Sequence, residues 1–167
     1  MMTPTADIVD RYAGSGLIEV CLLPFGSYGA RNAFFGPART VRCHHDNALL
    51  KQIIAQPGDG GVVAVDGGSS LGTALCGDRV AAEAAANGWA GLLIAGAVRD
   101  VATLRTIDMG IFALGSNPWP PGKTGAGEID LSIQLGDAEI GPGCWIYADE
   151  DGVLIAREEL DLGRAEQ

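Results

Sequence analysis

Long apolar runs and basic residues are scarce in this sequence of 167 residues. No run of eighteen apolar residues occurs, and residues 1–12 do not have the basic-then-apolar layout of an export signal, so we expect a cytoplasmic protein with no membrane span. Its 11 Lys and Arg residues are outnumbered by 21 Asp and Glu residues, which give a net charge of −10. That balance argues against direct binding of nucleic acid, since a phosphate-binding surface needs clustered basic residues.

Cysteine, histidine and glycine do not form any familiar cofactor motif. The four cysteines, at positions 21, 43, 76 and 144, are spaced too irregularly for a zinc site or a disulfide scaffold, so we expect reduced thiols. The two histidines, His44 and His45, are adjacent, and neighbouring residues of a strand point to opposite faces, so we expect no shared metal ion there. The glycines match neither the Walker spacing nor G-x-G-x-x-G, which argues against a nucleotide site.

The apolar pattern predicts alternating helices and strands, and therefore an α/β fold in one domain. Helices are predicted at residues 3–12, 47–56, 79–87 and 101–107, and strands at 18–23, 33–43, 61–65, 91–95, 111–114, 129–135, 144–148 and 153–156. Gly36-Pro37 predicts a bulge or an edge in the second strand, and residues 24–32 are predicted as a loop. The Pro/Gly-rich residues 117–127 form a long loop of the kind that is functional or makes subunit contacts.

The stretch 71–108 carries the candidate site. A helix at 79–87 and a buried strand at 91–95 should bring Asp78 and the pair Arg99-Asp100 to the same edge of the sheet, where α/β proteins bind ligands. The turn formed by Leu75, Cys76, Gly77 and Asp78 precedes the helix, and its backbone N–H groups would favour an anion. The sequence therefore predicts a pocket with one guanidinium, one carboxylate and an anion-holding turn.

Each of these residues also has a purely structural interpretation. Asp78 is a plausible helix cap, and Arg99-Asp100 is either a surface ion pair or the cap of the next helix. Cys76 has no histidine near it in sequence, so packing is favoured over nucleophilic catalysis. The acidic run 149–151 is most simply a solvated turn.

Short motifs along nearly the whole chain carry a family resemblance. They are L-x-G-D at 75–78, N-G-W-A-G at 87–91, G-A-V-R-D at 96–100, D-x-G-x-x-A-L-G at 108–115, K-T-G-A-G-E at 123–128 and Y-A-D-x-D-G at 147–152. Together with the twenty residues between Asp78 and Arg99, they resemble the RraA-like family, which includes the regulator of ribonuclease E activity A and class II 4-hydroxy-4-methyl-2-oxoglutarate aldolases. The resemblance covers residues 5–156 and implies a single domain over 1–167. Residues 157–167 are a charged tail, which their composition predicts as either a short helix or frayed.

The resemblance also implies a fold, an assembly and a mechanism. The fold is a compact swivelling-type β/β/α sandwich with a central sheet or barrel, assembled as a homotrimer or a dimer of trimers. Asp100 matches the ligand of a divalent cation, Mg²⁺ or Mn²⁺, and Arg99 matches the residue that binds the keto oxygen and carboxylate of a small α-keto acid. The backbone of residues 75–78 would hold the pyruvyl carboxylate, and Asp78 would orient a water molecule on the cation. Because a pyruvate enolate arises in both reactions, the site would serve as a 4-hydroxy-4-methyl-2-oxoglutarate aldolase, an oxaloacetate decarboxylase, or both.

Two further expectations come from the same resemblance. In aldolase members the base for the substrate hydroxyl is expected from a carboxyl-terminal extension across a subunit interface. The short segment after Ala156 therefore favours decarboxylation or a non-catalytic role here. The alternative function is non-catalytic inhibition of ribonuclease E, for which the acidic residues after position 127 would dock onto basic segments of the partner. Residues 128–167 hold 11 of the 21 acids and two arginines, a charge of −9.

Overall fold

The computed structural model describes residues 1–163, which form one large mixed sheet, a two-stranded sheet and four helices. In chain order the elements are α1 Thr5–Tyr12, β1 Ile18–Cys21, β2 Gly26–Ser27, β3 Phe34–Arg42, α2 Ala48–Ile54, β4 Val62–Asp66, β5 Ala74–Cys76, α3 Asp78–Ala86, β6 Gly91–Val98, α4 Val101–Leu104, β7 Gly110–Ser116, β8 Glu128–Ile129, β9 Ile133–Leu135, β10 Ala138–Ile140, β11 Trp145–Asp149 and β12 Gly152–Ala156. Within the described residues, no helix is both long and apolar enough to cross a membrane.

The large sheet has a parallel half and an antiparallel half. Its strand order is β1-β12-β11-β3-β4-β6-β7-β2, with β5 also paired to β6 and β8 also paired to β3. Strands β3, β4, β6 and β7 are parallel to their neighbours within this group, whereas β1, β12, β11 and β3 are joined by antiparallel pairs. Strand β3 is therefore a member of both halves.

Side chains from the parallel strands fill two cores on opposite faces. On β4, Val63 and Val65 belong to the core that includes Leu50 and Ile53 of α2, whereas Val62 and Ala64 belong to the core that includes the β9–β10 hairpin. This alternation follows from the period of two along a strand. The result is a layer of helices, a central sheet and a second β layer, as the predicted β/β/α sandwich requires.

Strand β6 is buried at all eight of its positions, as its apolar sequence predicts for a central parallel strand. Its glycine-flanked run lies between β4 and β7. Because each fully buried Leu or Ile side chain stabilises the fold by roughly 1.5–3 kcal/mol, this strand is held firmly in place. The residues that directly follow it, Arg99 and Asp100, are thus attached to a rigid part of the molecule.

The bulge predicted as one alternative at Gly36-Pro37 is wrong, because β3 runs as one strand with no shift of register against β11. The other alternative, an edge, holds locally, since the pairing with β4 begins only at Ala38. Residues 34–37 pair with β11 and residues 38–42 pair with β4, so Pro37 lies where the strand changes partner and its missing N–H costs no bond to β4. Gly36 is needed for a different reason, since a Cβ there would collide with the carbonyl oxygen of Gly60.

The single strand predicted at 129–135 is also wrong. It is divided into β8, which pairs with β3, and β9, which pairs with β10. Asp130 adopts a left-handed backbone (φ 57°) between them, and its carboxylate accepts hydrogen bonds from the guanidinium of Arg39 at 2.7 and 3.0 Å. The alternation of polar and apolar residues continues through this turn, which is why the pattern alone does not reveal it.

Smaller differences concern the loop at 24–32, the fourth helix and the tail. The loop contains β2, two residues that pair with β7. The helix predicted at 101–107 ends at Leu104. Residues 157–163 contain no helix or strand, and the rest of the predicted tail lies outside the described residues.

Candidate functional site

A cavity of about 620 Å³ opens where β5, α3 and β6 meet. Five of the six predicted site residues line it, namely Leu75, Gly77, Asp78, Arg99 and Asp100. Cys76 is 1% exposed and lies in the core instead. Burial raises the pKa of the Cys76 thiol to about 12, which leaves it protonated at neutral pH and agrees with a packing role.

Asp78 and Asp100 are in direct contact, although they lie 22 positions apart. The backbone N–H of Asp78 donates a hydrogen bond to Oδ2 of Asp100 at 3.2 Å. The carboxylate of Asp78 does not cap α3 from outside, because the helix begins at Asp78 itself and Oδ1 accepts only the adjacent N–H of Arg79 at 2.8 Å. One of the turn amides predicted to hold an anion is thus engaged by a carboxylate of the protein.

Gly77 allows this close approach. A Cβ at position 77 would lie 2.6 Å from Oδ2 of Asp100 and 3.1 Å from Cγ of Arg99. Any larger residue would push the two functional side chains away from the turn. The glycine of the L-x-G-D motif is therefore explained by contact with Arg99-Asp100 and not by its own backbone angles.

The backbone of Arg99 is fixed by a hydrogen bond, whereas its guanidinium is partly exposed and can contact a ligand. Its N–H donates to the carbonyl oxygen of Cys76 at 2.9 Å, which fixes the end of β6 beside β5. The Nε atom lies 3.7 Å from Oδ2 of Asp100, and the two side chains are 38% and 34% exposed. A long, partly exposed ion pair of this kind is weak, so it does not lock the pair away from a ligand.

Asp100 has an unusual backbone conformation. It lies directly before α4 with φ 58° and ψ 39°, the left-handed region that non-glycine residues rarely adopt, and its side chain makes no capping bond to that helix. Such strain, of order 1–3 kcal/mol, is found preferentially at functional sites. Here the left-handed turn directs the carboxylate back towards Gly77 and Asp78 rather than onto the helix that follows.

Asp100 fits the role of a ligand to a hard cation. Its Oδ1 atom accepts no hydrogen bond from any described residue, while Oδ2 contacts Asp78 and Arg99. No group of three or more His, Cys, Asp or Glu side chains within residues 1–163 could enclose a metal ion. A single available carboxylate suits Mg²⁺, which commonly keeps several waters and binds through one or two carboxylates.

The sequence interpretation missed residues on the other elements that line the cavity. Asn47 and Lys51 come from the start and interior of α2, Arg79 and Glu83 from α3, and Lys123 from the loop at 117–127. The apolar periodicity of α2 indicates only its buried face and says nothing of Lys51. The K-T-G-A-G-E motif does contain Lys123, but nothing in its spacing to Arg99 predicts a shared cavity.

Asp46 holds the Pro/Gly-rich loop against the site. The residue is 4% exposed, and its carboxylate accepts hydrogen bonds from the N–H and Oγ1 of Thr124 at 2.5 and 2.8 Å, and from the N–H of Gly125 at 3.2 Å. These hydrogen bonds lower the pKa of Asp46 below its usual value, and the bond from the backbone N–H of Thr124 has the largest effect. Because Thr124 is next to Lys123, the same bonds position that lysine.

The side chains of His44 and His45 lie on the same side of the chain. The prediction that they point to opposite faces, as neighbouring strand residues do, is wrong. Strand β3 ends at Arg42, and His45 takes a left-handed backbone (φ 53°), so the strand rule no longer applies. The two rings stack with centroids 3.9 Å apart, and Nε2 of His45 is 2.6 Å from Oγ of Ser70.

A family model and two solved structures point to one family. The family model RraA-like, described as Aldolase/RraA, matches residues 5–155. The fold is similar to that of the RNA-processing inhibitor RraA from Thermus thermophilis, with 40% identity, 98% of each chain covered and a TM-score of 0.92. It is equally similar to a protein from Geobacillus kaustophilus named S-adenosylmethionine: 2-dimethylmenaquinone methyltransferase, with 37% identity, 98% of this chain and 100% of that chain covered and a TM-score of 0.92. Streptomyces coelicolor RraAS2 has the same fold at 21% identity, with 92% and 81% covered and a TM-score of 0.73.

Proposed function

Since this chain belongs to the RraA-like family, whose model is described as Aldolase/RraA, we propose that it is a divalent-metal-dependent carbon–carbon lyase acting on pyruvyl compounds. The observation that carries the proposal is the partly exposed pair Arg99-Asp100, which lies beside the turn at 75–78 in a cavity of about 620 Å³. That volume is within the usual range for small-ligand sites.

Asp100 is the residue that would hold the cation, Mg²⁺ or Mn²⁺, through the carboxylate oxygen that no described residue occupies. Asp78, whose backbone contacts Asp100, would orient a water molecule beside it. When bound, the cation supplies a Lewis acid that stabilises negative charge on the substrate oxygen.

Arg99 would bind the 2-oxo group. Its guanidinium is a planar and permanently charged donor, and within residues 1–163 only its Nε atom has a charged partner. Leu75 and Gly77 line the same cavity. The backbone of residues 75–78 would contact the substrate carboxylate, and Cys76, whose side chain is in the core, would contribute main chain only. These contacts orient the bond to be broken relative to Arg99.

Decarboxylation of oxaloacetate is the simplest reaction for this arrangement. The bond between C3 and C4 breaks, C4 leaves as carbon dioxide, and the electron pair moves onto the C2–C3 unit as an enolate with its negative charge on the C2 oxygen. Donors of Arg99 stabilise that charge as it forms. Protonation of C3 by water then gives pyruvate, so no protein base is required.

Retro-aldol cleavage of 4-hydroxy-4-methyl-2-oxoglutarate would pass through the same enolate. It additionally needs a base that removes the proton of the tertiary hydroxyl while the C3–C4 bond breaks and a second pyruvate leaves. Glu83 is an acidic residue of the cavity that would be available for this task. Because the retro-aldol reaction needs this additional proton transfer, we expect it to be slower than the decarboxylation of oxaloacetate.

The test is to incubate the protein with each substrate and MgCl₂ and to follow pyruvate. Production above the spontaneous rate that disappears with a chelator and with Asp100→Asn supports the lyase. Rates equal to the protein-free control for both substrates, with Mg²⁺ and with Mn²⁺, would refute it.

Inhibition of ribonuclease E is the second candidate. It is favoured by the 40% identity to the Thermus protein named as an RNA-processing inhibitor, and by the charge of −9 on residues 128–167, which would complement a basic partner in the cytoplasm. Purified ribonuclease E should bind the protein in the presence of a chelator, with an affinity that falls as salt rises. No binding at low salt removes this candidate.

A homotrimer or a dimer of trimers is proposed on the family resemblance. The large apolar residues Leu71 and Trp119 are 46% and 68% exposed, which is consistent with a subunit contact. Light scattering should give three or six times the chain mass of 17.2 kDa, and a monomer at micromolar concentration would exclude the assembly.

A further inference from the structure

The only two lysines of the chain, Lys51 and Lys123, both line the cavity that contains Arg99 and Asp100. The cavity lining has four basic side chains and three acidic ones, a formal balance of +1, although the whole chain carries −10. The members are Lys51, Arg79, Arg99 and Lys123, with Asp78, Glu83 and Asp100. This is a local excess of positive charge in an acidic protein, and such a cleft attracts anions.

The two lysines have no partner among the described residues. The ion pairs within residues 1–163 involve Arg31, Arg39, Arg42 and Arg99. Neither ammonium group donates a hydrogen bond to a described side chain or backbone atom, so the charge of both is available to a ligand. Arg99, by contrast, is already shared with Asp100 and would be occupied by the 2-oxo group.

Hydrogen bonds of Asn47 bring the two segments that carry the lysines, α2 and the loop at 117–127, to the same side of the cavity. The side chain of Asn47 donates to the carbonyl oxygen of Leu75 at 3.1 Å, and its backbone N–H donates to that of Gly122 at 3.1 Å. Lys51 follows Asn47 one turn later in α2. Lys123 lies between Gly122, which Asn47 binds, and Thr124, whose hydroxyl donates a hydrogen bond to Asp46. The lysines therefore come from α2 and the loop, whereas Arg99 comes from the end of β6.

We propose that Lys51 and Lys123 form a second anion-binding subsite, which selects 2-oxo acids that carry a distal carboxylate. The proposal rests on the proposed function in that Arg99 binds the 2-oxo end. A five-carbon dicarboxylic 2-oxo acid presents an anion at each end, so one end would bind at Arg99 and the other at the lysines. A 2-oxo acid with an apolar tail gains nothing from them.

The experiment compares two probes of equal chain length that cannot undergo the aldol cleavage. 2-Oxopentanedioate has a carboxylate at C5, and 2-oxopentanoate has a methyl group there. Titration calorimetry with MgCl₂ should show that the wild-type protein binds the dicarboxylate about five- to tenfold more tightly, as expected for one charge-assisted contact in a partly solvated site. Lys51→Met and Lys51→Met/Lys123→Met should progressively reduce that ratio towards one while leaving the affinity for 2-oxopentanoate unchanged.

Arg105→Met is the matched control. Arg105 is exposed, its side chain forms no hydrogen bond or ion pair with the residues that the structure describes, and it lies outside the cavity. It removes the same charge and should preserve the ratio. A ratio that stays the same in the double lysine variant overturns the subsite, as does an equal loss in Arg105→Met. Because binding is measured without turnover, discrimination in a protein that produces no pyruvate would refute the lyase and keep the subsite.

Discussion

The backbone N–H of Asp78 contacts the carboxylate of Asp100 at 3.2 Å, and only the absence of a side chain at Gly77 permits it. This contact closes the unit made of α3 and β6, since it joins the start of the helix to the residue after the strand.

Gly77→Ala should displace Asp100 and reduce turnover at least tenfold. A Cβ at 77 would lie 2.6 Å from Oδ2 of Asp100, and relieving such overpacking costs about 1–3 kcal/mol. Pyruvate production and thermal unfolding are the measurements. Gly141→Ala is the control, because a Cβ there meets only Oγ of Ser132 at 3.7 Å; equal activity of the two variants would contradict the role of Gly77.

Arg99→Lys should keep the fold and lower kcat by roughly ten- to a hundredfold. An ammonium group keeps the charge but cannot reproduce the planar fork that donates to two oxygens. Steady-state kinetics with oxaloacetate measure the loss, and Arg105→Lys serves as the control. Unchanged kinetics in Arg99→Lys would remove the guanidinium from the mechanism.

Asp100→Asn should abolish metal-dependent activity without unfolding the protein. Asparagine tolerates the left-handed backbone at φ 58° about as well as aspartate, so the substitution removes the charge and adds no backbone strain, whereas Asp100→Ala would remove the charge and add strain. Calorimetric titration with Mn²⁺ should show binding to the wild type and none to the variant. A wild-type preparation that stays fully active after exhaustive chelation would contradict the need for a cation.

Asp46→Asn should lower the melting temperature at neutral pH and have little effect in acid. Hydrogen bonds from Thr124 lower the pKa of Asp46 in the folded protein. Its stabilising effect is therefore complete above the unfolded pKa of about 3.9 and is lost as the pH falls through the lower, folded value. Thermal unfolding between pH 3 and pH 7 measures the difference between wild type and variant.

Asp137→Asn is the control for this series, since Asp137 is exposed and accepts no hydrogen bond from a described residue. It should leave the pH dependence of the melting temperature unaltered. A difference between wild type and Asp46→Asn that stays constant over this range would show that the charge of Asp46 is not responsible.

The sequence predicted those parts of the fold whose pattern is local. The Ala-rich α3 ends at Asn87-Gly88, and β6 is an apolar run bounded by glycine, so both were predictable, and with them the meeting of Asp78 with Arg99 and Asp100. The RraA-like family and the α/β sandwich were likewise identified correctly from the motifs.

The rest depends on contacts that are distant in sequence. Pro37 is tolerated in a central strand only because β3 changes partner there, and Asp130 turns the chain only because Arg39 binds it. Lys51 and Lys123 were missed for the same reason, since α2 and the loop at 117–127 are distant in sequence and share a cavity wall by way of Asp46. Neither helical nor strand periodicity contains that information.

The partner change in β3 has a consequence for how the molecule comes apart. Because residues 34–37 are bonded to β11 and residues 38–42 to β4, one continuous strand ties the two sheet halves together. Neither half can open by itself without exposing the backbone of β3. Proteolytic fragments that end near Pro37 should consequently be unable to fold, and heat should melt the whole chain in a single cooperative step.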